Sequence, residues 1–152
     1  MFRTELSVSP SQGTIGLKDP IFTIGSCFSD AIERQFAVNK FNILANPFGT
    51  IYNPVSIFKL LDYCLEDSGP NQDTFIIRDG LYLNYDFHSF FTAQSESELK
   101  GQLVQKIKNT RAYLKQTKYL IITLGTAYVY ELRANKEVVA NCHKQPQELF
   151  TK

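Results

Sequence analysis

In this sequence the apolar run Ile21-Phe22-Thr23-Ile24 ends in Gly25-Ser26-Cys27, where a helical pattern begins. Residues 21–24 are β-prone and apolar, as a short strand buried on both faces requires. Gly25 permits a sharp turn. Phe28, Ile32, Gln35 and Phe36 then recur at helical spacing, which places the side chain of Ser26 or Cys27 at the first turn of a helix. Free amide N–H groups and the helix dipole at such a position stabilise a thiolate or an oxyanion. The chemistry this suggests is attack of the Cys27 sulfur on an acyl carbonyl, with the Cys27 backbone N–H helping to hold the oxyanion. Ser26 is a competing nucleophile. The plainer reading of the same residues is a small buried cysteine and a serine that only caps the helix.

A base would have to come from the two histidines in the chain, His88 and His143. His88, in Tyr85-Asp86-Phe87-His88-Ser89-Phe90, has a carboxylate two residues away that could orient it or lie on the opposite face of a strand. His143, in Asn141-Cys142-His143-Lys144, follows a predicted strand end and sits among polar groups. As a lone histidine, each is more often structural than catalytic. The Cys142–His143 pair is not a dyad, because adjacent side chains point apart. Cys27, Cys64 and Cys142 are an odd number with no C-x-x-C spacing, so neither a disulfide framework nor a zinc site is indicated. Cys64, inside Leu60-Leu61-Asp62-Tyr63-Cys64-Leu65, is expected to be a core residue. No Gly-rich phosphate loop is visible, and no metal or organic cofactor is implied.

The elements that must position these groups alternate in type. Residues 1–19 suggest an extended lead-in, over the surface or as an edge strand. The strand at 21–24 and a helix to about Phe36 follow, then a short strand at Phe41–Leu44 and a loop at Asn46–Pro54. Asn53 and Pro54 suit the cap and first turn of a second helix, with Val55, Phe58, Leu61 and Leu65 as its expected apolar face. Residues 74–77 and 81–83 flank Arg78-Asp79-Gly80, a hairpin signal. Residues 95–116 form a long amphipathic pattern, Ser95 and Glu98 standing at capping-box spacing and Leu99, Leu103, Ile107 and Leu114 on the buried side. Tyr119–Leu124 is the second expected buried strand, ending in Gly125. A second hairpin is expected from 128–132 and 137–140. Strands that end in glycine turns, with helices between them, predict an α/β fold with a parallel sheet, in which ligands bind beyond the carboxyl ends of the strands. Cys27 and the Gly125-Thr126-Ala127 turn are then expected to be neighbours.

With 152 residues, 43% apolar and 20% charged, the chain suits one domain with a sizeable core. A net charge of +1 and the absence of a Lys/Arg block offer nothing to attract nucleic acid or an anionic membrane. The basic residues from Lys100 to Lys118 are interleaved with apolar ones, as on a solvated helix face. No apolar run approaches the ~18 residues of a membrane span, and the N-terminus lacks a signal-peptide core, so a cytoplasmic location is expected.

Gly25-Ser26-Cys27-Phe28-Ser29-Asp30 resembles the signature of the GSCFA domain, an offshoot of the SGNH/GDSL hydrolases. Further segments resemble the family in the same order: residues 46–54, Asp86-Phe87-His88-Ser89, residues 121–130 and residues 139–144. The resemblance implies a flavodoxin-like three-layer α/β/α fold with accessory hairpins and hydrolysis or transfer of an ester- or thioester-bound acyl group on a small molecule, carbohydrate or lipid. Gly25 matches the superfamily's glycine, Ser26 its aspartate and Cys27 its nucleophilic serine. Gly49 falls where a glycine N–H supplies an oxyanion donor, and Asn46 or Asn53 could add a side-chain amide. The third block departs from the pattern: Gly125-Thr126-Ala127-Tyr128 puts alanine where the superfamily has an oxyanion-binding asparagine, although Thr126 could substitute. Gly125 and Thr126 are then the opposite wall of the site, and His88, His143 and Asn141 lie in family-like segments. The superfamily's last block, which carries its base, has no match before Lys152. The chain is therefore expected to be the N-terminal part of a domain, incomplete at its C-terminal side and prone to self-association through an open sheet edge. The base is His143, His88 or a residue beyond Lys152. A non-catalytic binding or assembly domain of the same fold is the alternative.

Overall fold

The computed structural model describes Ser9 and residues 13–152. It is a mixed α/β structure with a parallel sheet and three helices. The strand β1 (Ile21–Gly25) leads into α1 (Cys27–Val38), and β2 (Ile43–Ala45) leads into α2 (Pro54–Glu66). A hairpin follows, β3 (Phe75–Arg78) and β4 (Leu81–Asn84), and then α3 (Glu96–Leu114) and β5 (Tyr119–Thr123). The described chain ends in β6 (Tyr130–Leu132), β7 (Val138–Val139) and β8 (Phe150–Thr151). The parallel sheet has the order β2-β1-β5, so the strand that ends in Gly25 is central. Every residue of β1 is buried. Phe22 and Ile24 belong to a core shared with Ile57 and Leu60 of α2 and Leu99, Leu103 and Ile107 of α3.

The hairpin signal corresponds to β3–β4, where Asp79 (φ 51°) and Gly80 (φ 76°) both take positive φ, as a two-residue primed turn demands. Ser95 caps α3 by accepting from the Glu98 N–H at 3.2 Å. The Glu98 carboxylate reaches the Gln94 N–H instead of the Ser95 N–H, so the capping box is displaced by one residue. Cys64 is fully buried, as expected.

Four expectations are corrected. On α2 the buried stripe is Ile57, Leu60, Leu61 and Cys64, whereas Val55, Phe58 and Leu65 are exposed. This helix is apolar nearly all round, so two stripes compete, and contact with β1 and α3 selects the one that sequence spacing did not. Phe28 of α1 is also exposed, with Ile32 and Phe36 half-buried. The strand β5 is not fully buried, because β1 pairs with one of its edges and Leu120 remains 49% exposed. The C-terminal hairpin gains a third strand, β8, which pairs antiparallel with β6. The lead-in falls largely outside the described residues. Residues 13–20 carry no strand, and Leu17 only accepts a backbone hydrogen bond from Asn42.

Candidate active site

The turn after β1 is held from three sides. Gly25 has φ 136°, and a β-carbon there would collide with the Thr123 carbonyl of β5, so only glycine fits the close approach of the two strands. Asn46, in the left-handed region at φ 39°, accepts the Gly25 N–H on its Oδ1 at 2.8 Å. Its Nδ2 donates to the Ser26 carbonyl (3.3 Å) and to Asp30 (2.6 Å), and Thr50 Oγ1 donates to the other oxygen of Asp30. The loop that follows β2 is thereby tied to the first turn of α1. The Asn46 amide is fully engaged and is not an oxyanion donor in this arrangement.

Ser26 and Cys27 are treated differently by the fold. Ser26 is buried and caps α1, accepting the Phe28 N–H on Oγ at 3.3 Å while Oγ donates to Thr123 Oγ1 at 3.1 Å. Thr123 Oγ1 also lies 2.8 Å from Ser29 Oγ, so three hydroxyls form one cluster beneath the turn. Cys27 is the first residue of α1 and is exposed. Among the described residues the Cys27 N–H has no hydrogen-bond partner.

The neighbouring wall comes from the loop after β2 and the turn after β5. Gly125 lies against Ser26, since a β-carbon built on Gly125 would stand 3.3 Å from Ser26 Cβ, and its N–H donates to the Tyr52 carbonyl. The expected proximity of the two turns is therefore present. Thr126 N–H also donates to the Tyr52 carbonyl (3.2 Å), and Thr126 Oγ1 accepts from the Tyr128 N–H (3.1 Å). Gly49 (φ 83°) is pressed against His88, and a side chain there would overlap the imidazole. The Gly49 N–H, however, donates to the Asn46 carbonyl at 2.8 Å and is engaged. Its neighbour Thr50 has an N–H without a partner among the described residues. Asn53 is buried and caps α2 through Oδ1 on the Ser56 N–H (2.8 Å).

Two adjoining depressions share Tyr52, Tyr130 and Ala140. One, of about 510 Å³, is lined by Thr50, His88, Asn141 and Cys142 as well. The other, of about 250 Å³, is lined by Asn53, Gly125, Thr126, Tyr128 and Lys152. Of the expected site residues, Asn53, Gly125 and Thr126 line the smaller depression and His88 and Asn141 the larger, whereas Gly25, Ser26, Cys27, Gly49 and His143 line neither. No described hydrogen bond joins either histidine to Cys27. His88 Nδ1 accepts the Phe90 N–H at 3.3 Å, so in the neutral ring the proton sits on Nε2. His143 is 3% exposed and bonds to Asn84 and Ser89. Burial holds its pKa below the ordinary histidine value, against the opposing pull of the Asn84 carbonyl. Cys142 is held above the usual thiol value by burial, which disfavours its thiolate. Among the described residues no group of three or more His, Cys, Asp or Glu side chains is arranged to hold a metal ion.

Thr50, Tyr52, Ser89 and Tyr130 were not singled out from sequence. Ser89 stands in the His88-containing segment and Thr50 beside Gly49, so proximity to a glycine under constraint was the available signal.

No helix among the described residues is long and apolar enough to cross a membrane. Neither the curated proteins nor the solved structures contain a match to the chain. The model of the GSCFA family matches residues 20–152, a span that contains β1 with its Gly-Ser-Cys turn and every site residue described above, and the chain belongs to the GSCFA family.

Proposed function

We propose that this domain is an SGNH-like acyl hydrolase or acyltransferase of three-layer α/β/α type, acting on an ester or thioester with Cys27 as nucleophile. The observation that carries this reading is the exposed Cys27 at the start of α1, beyond the carboxyl end of the central parallel strand, with its own N–H unengaged. A thiolate there gains from the helix dipole. The Cys27 N–H and the unengaged Thr50 N–H replace the pair of donors expected from Cys27 and Gly49. Ser26 supports the turn and is not the attacking group, because its hydroxyl is buried and bonded on both its donor and acceptor sides. In the attack the sulfur bonds to the acyl carbon and the alkoxide or thiolate leaves. Water then releases the acid and regenerates the thiol. The proton that the Cys27 thiol gives up on attack is assigned to His88, which passes it to the leaving alkoxide or thiolate and takes one from the incoming water in the second step. The substrate is a small-molecule, carbohydrate or lipid acyl ester, and no cofactor takes part.

Incubating the protein with an activated acyl ester and mapping the adduct by mass spectrometry tests this. Acylation of Cys27 is expected in the parent and in Ser26→Ala. Acylation that survives Cys27→Ala but is lost in Ser26→Ala sinks the assignment.

A second reading, a binding or assembly domain without chemistry, is favoured by Ala127 in the place of an oxyanion-binding asparagine and by the engaged Gly49 N–H. Loss of one such donor costs about 10²–10³ in rate. Thiol alkylation separates the two: an activated Cys27 reacts near neutral pH much faster than a free cysteine of pKa ~8.5, and an unactivated one does not.

A further inference from the structure

His143 is the most deeply buried ionisable ring near the cleft, and the chemistry assigned to Cys27 makes no use of it. Its Nε2 lies 2.7 Å from the Asn84 carbonyl oxygen. A carbonyl only accepts, so Nε2 carries the hydrogen and the neutral ring presents a bare lone pair at Nδ1. The atom facing that lone pair is Ser89 Oγ, at 3.4 Å. Ser89 Oγ also receives a hydrogen bond from Asn141 Nδ2 at 2.9 Å, and Asn141 is fixed in turn by the His143 N–H on its Oδ1. An amide nitrogen only donates, so the single hydrogen of the serine hydroxyl is free to point at Nδ1. The result is an exposed serine hydroxyl, a neutral imidazole beside it, and a main-chain carbonyl that sets the tautomer.

The turn that presents Ser89 is held by main-chain hydrogen bonds. It is closed by the Phe91 N–H on the His88 carbonyl (3.0 Å) and seated on the loop at Gly49 through the His88 N–H on the Phe48 carbonyl (3.4 Å). Its neighbours His88 and Asn141 line the 510 Å³ cleft. We propose that Ser89 is a second acylatable nucleophile of this domain, with His143 Nδ1 as its base and Asn141 as its positioning residue, and that it takes activated ester or phosphonyl electrophiles from the cleft. The inference stands on its own geometry and does not need Cys27 to react.

The groups around His143 are the Arg78 guanidinium, which donates to the His143 carbonyl at 2.8 Å, together with His88, the Tyr85 ring, Cys142 and Lys144. None of these is a carboxylate, so nothing anionic backs the ring. The pair is therefore a modest base–nucleophile system, in which a 3.4 Å contact has to shorten as the electrophile binds.

The test is to expose the protein to a fluorophosphonate and map the modified peptide. The Ser89 Oγ–P bond forms and the P–F bond breaks, fluoride leaving with the bonding pair. The hydroxyl proton passes to His143 Nδ1 and then to water. Expected results are a Ser89 adduct that is absent in Ser89→Ala and slowed at least tenfold in His143→Gln. A His143 variant that does not fold is replaced by the pH profile of the parent, whose labelling rate should fall about tenfold per unit on the acid side of the histidine titration. An unmodified Ser89, or labelling indifferent to pH across that range, overturns the proposal. Alkylation of Cys27 is mapped in the same sample: a reactive Cys27 with an inert Ser89 rejects this inference alone, and the converse rejects only the Cys27 reading.

Discussion

Ser26 and Cys27 are adjacent, yet one hydroxyl is locked under the turn and the neighbouring thiol is open to solvent. The Ser26→Ala variant should lose about 1 kcal/mol, typical for an N-cap, in a urea titration while leaving the alkylation rate of Cys27 within about twofold of the parent. A rate collapse in that variant would mean that the cap sets the thiol's environment. Asn46 matters more. Its side chain satisfies the Gly25 N–H, the Ser26 carbonyl and Asp30 at once, so Asn46→Ala should cost on the order of 2–3 kcal/mol, the desolvation penalty of buried polar groups left without partners. The same variant should slow Cys27 alkylation, because the turn that presents the thiol loses its tie to the loop. The position of Cys27 was legible in the sequence, since a β-prone run, a glycine and a helical period together fix where a first helical turn begins. The engagement of Gly49 N–H and Asn46 was not, because which amide a loop consumes internally depends on contacts between segments far apart in the chain.

At the scale of elements, the helix starts were legible and the helix faces were not. Asn53-Pro54 and Ser95 carry local chemistry, and both cap as expected. The α2 face depends instead on what packs against it, and Lys59 shows how. Its ammonium bonds Asp86 and Glu137, both at 2.7 Å, and Tyr63 donates to the same Asp86 at 2.8 Å, so α2, the segment after β4 and the turn between β6 and β7 are pinned together. Asp86 is 2% exposed, and burial holds its carboxyl above the usual range despite the lysine. Lys59→Met leaves that carboxylate without its cation. Breaking a buried pair costs 3–5 kcal/mol, and the part exposure of Lys59 reduces this to about 2–3 kcal/mol. The midpoint of urea denaturation measures it, and an unchanged midpoint would show that Tyr63 alone carries Asp86. Asn53 offers a cleaner contrast, because Asn53→Asp keeps the cap acceptor and Asn53→Ala removes it. The alanine variant should be about 1 kcal/mol less stable than the aspartate.

For the whole molecule, the pH range of stability is set by ionisable groups that burial and ion pairing shift. The folded pKa of His143 is lowered, so below about 6.5 the unfolded chain binds the proton more readily and stability falls with falling pH. At the alkaline end, burial works against the Lys59 charge, but Asp86 and Glu137 outweigh it and hold its pKa above 10.5. Burial and the Asp86 carboxylate push the Tyr63 phenol far above its usual value of 10.0. Burial also pushes the Cys64 thiol up to about 11, so above about pH 9 the unfolded chain sheds protons that the folded one retains, and stability declines again. Thermal midpoints measured from pH 5 to pH 11 should form a plateau from about 7 to 9 with both limbs falling, and the alkaline limb should be shallower in Tyr63→Phe. The open edge of β5 adds a concentration dependence to the same measurement. Among the described residues the backbone groups of β5 that face away from β1 have no strand partner, and Leu120 in the strand and Leu124 just after it are exposed. Edges of that kind pair between molecules unless charge blocks them. Sedimentation velocity should show association that grows with protein concentration and weakens in Leu120→Lys, because a charge facing its own copy across a two-strand junction repels it. A parent that sediments as a monomer at every concentration overturns this prediction.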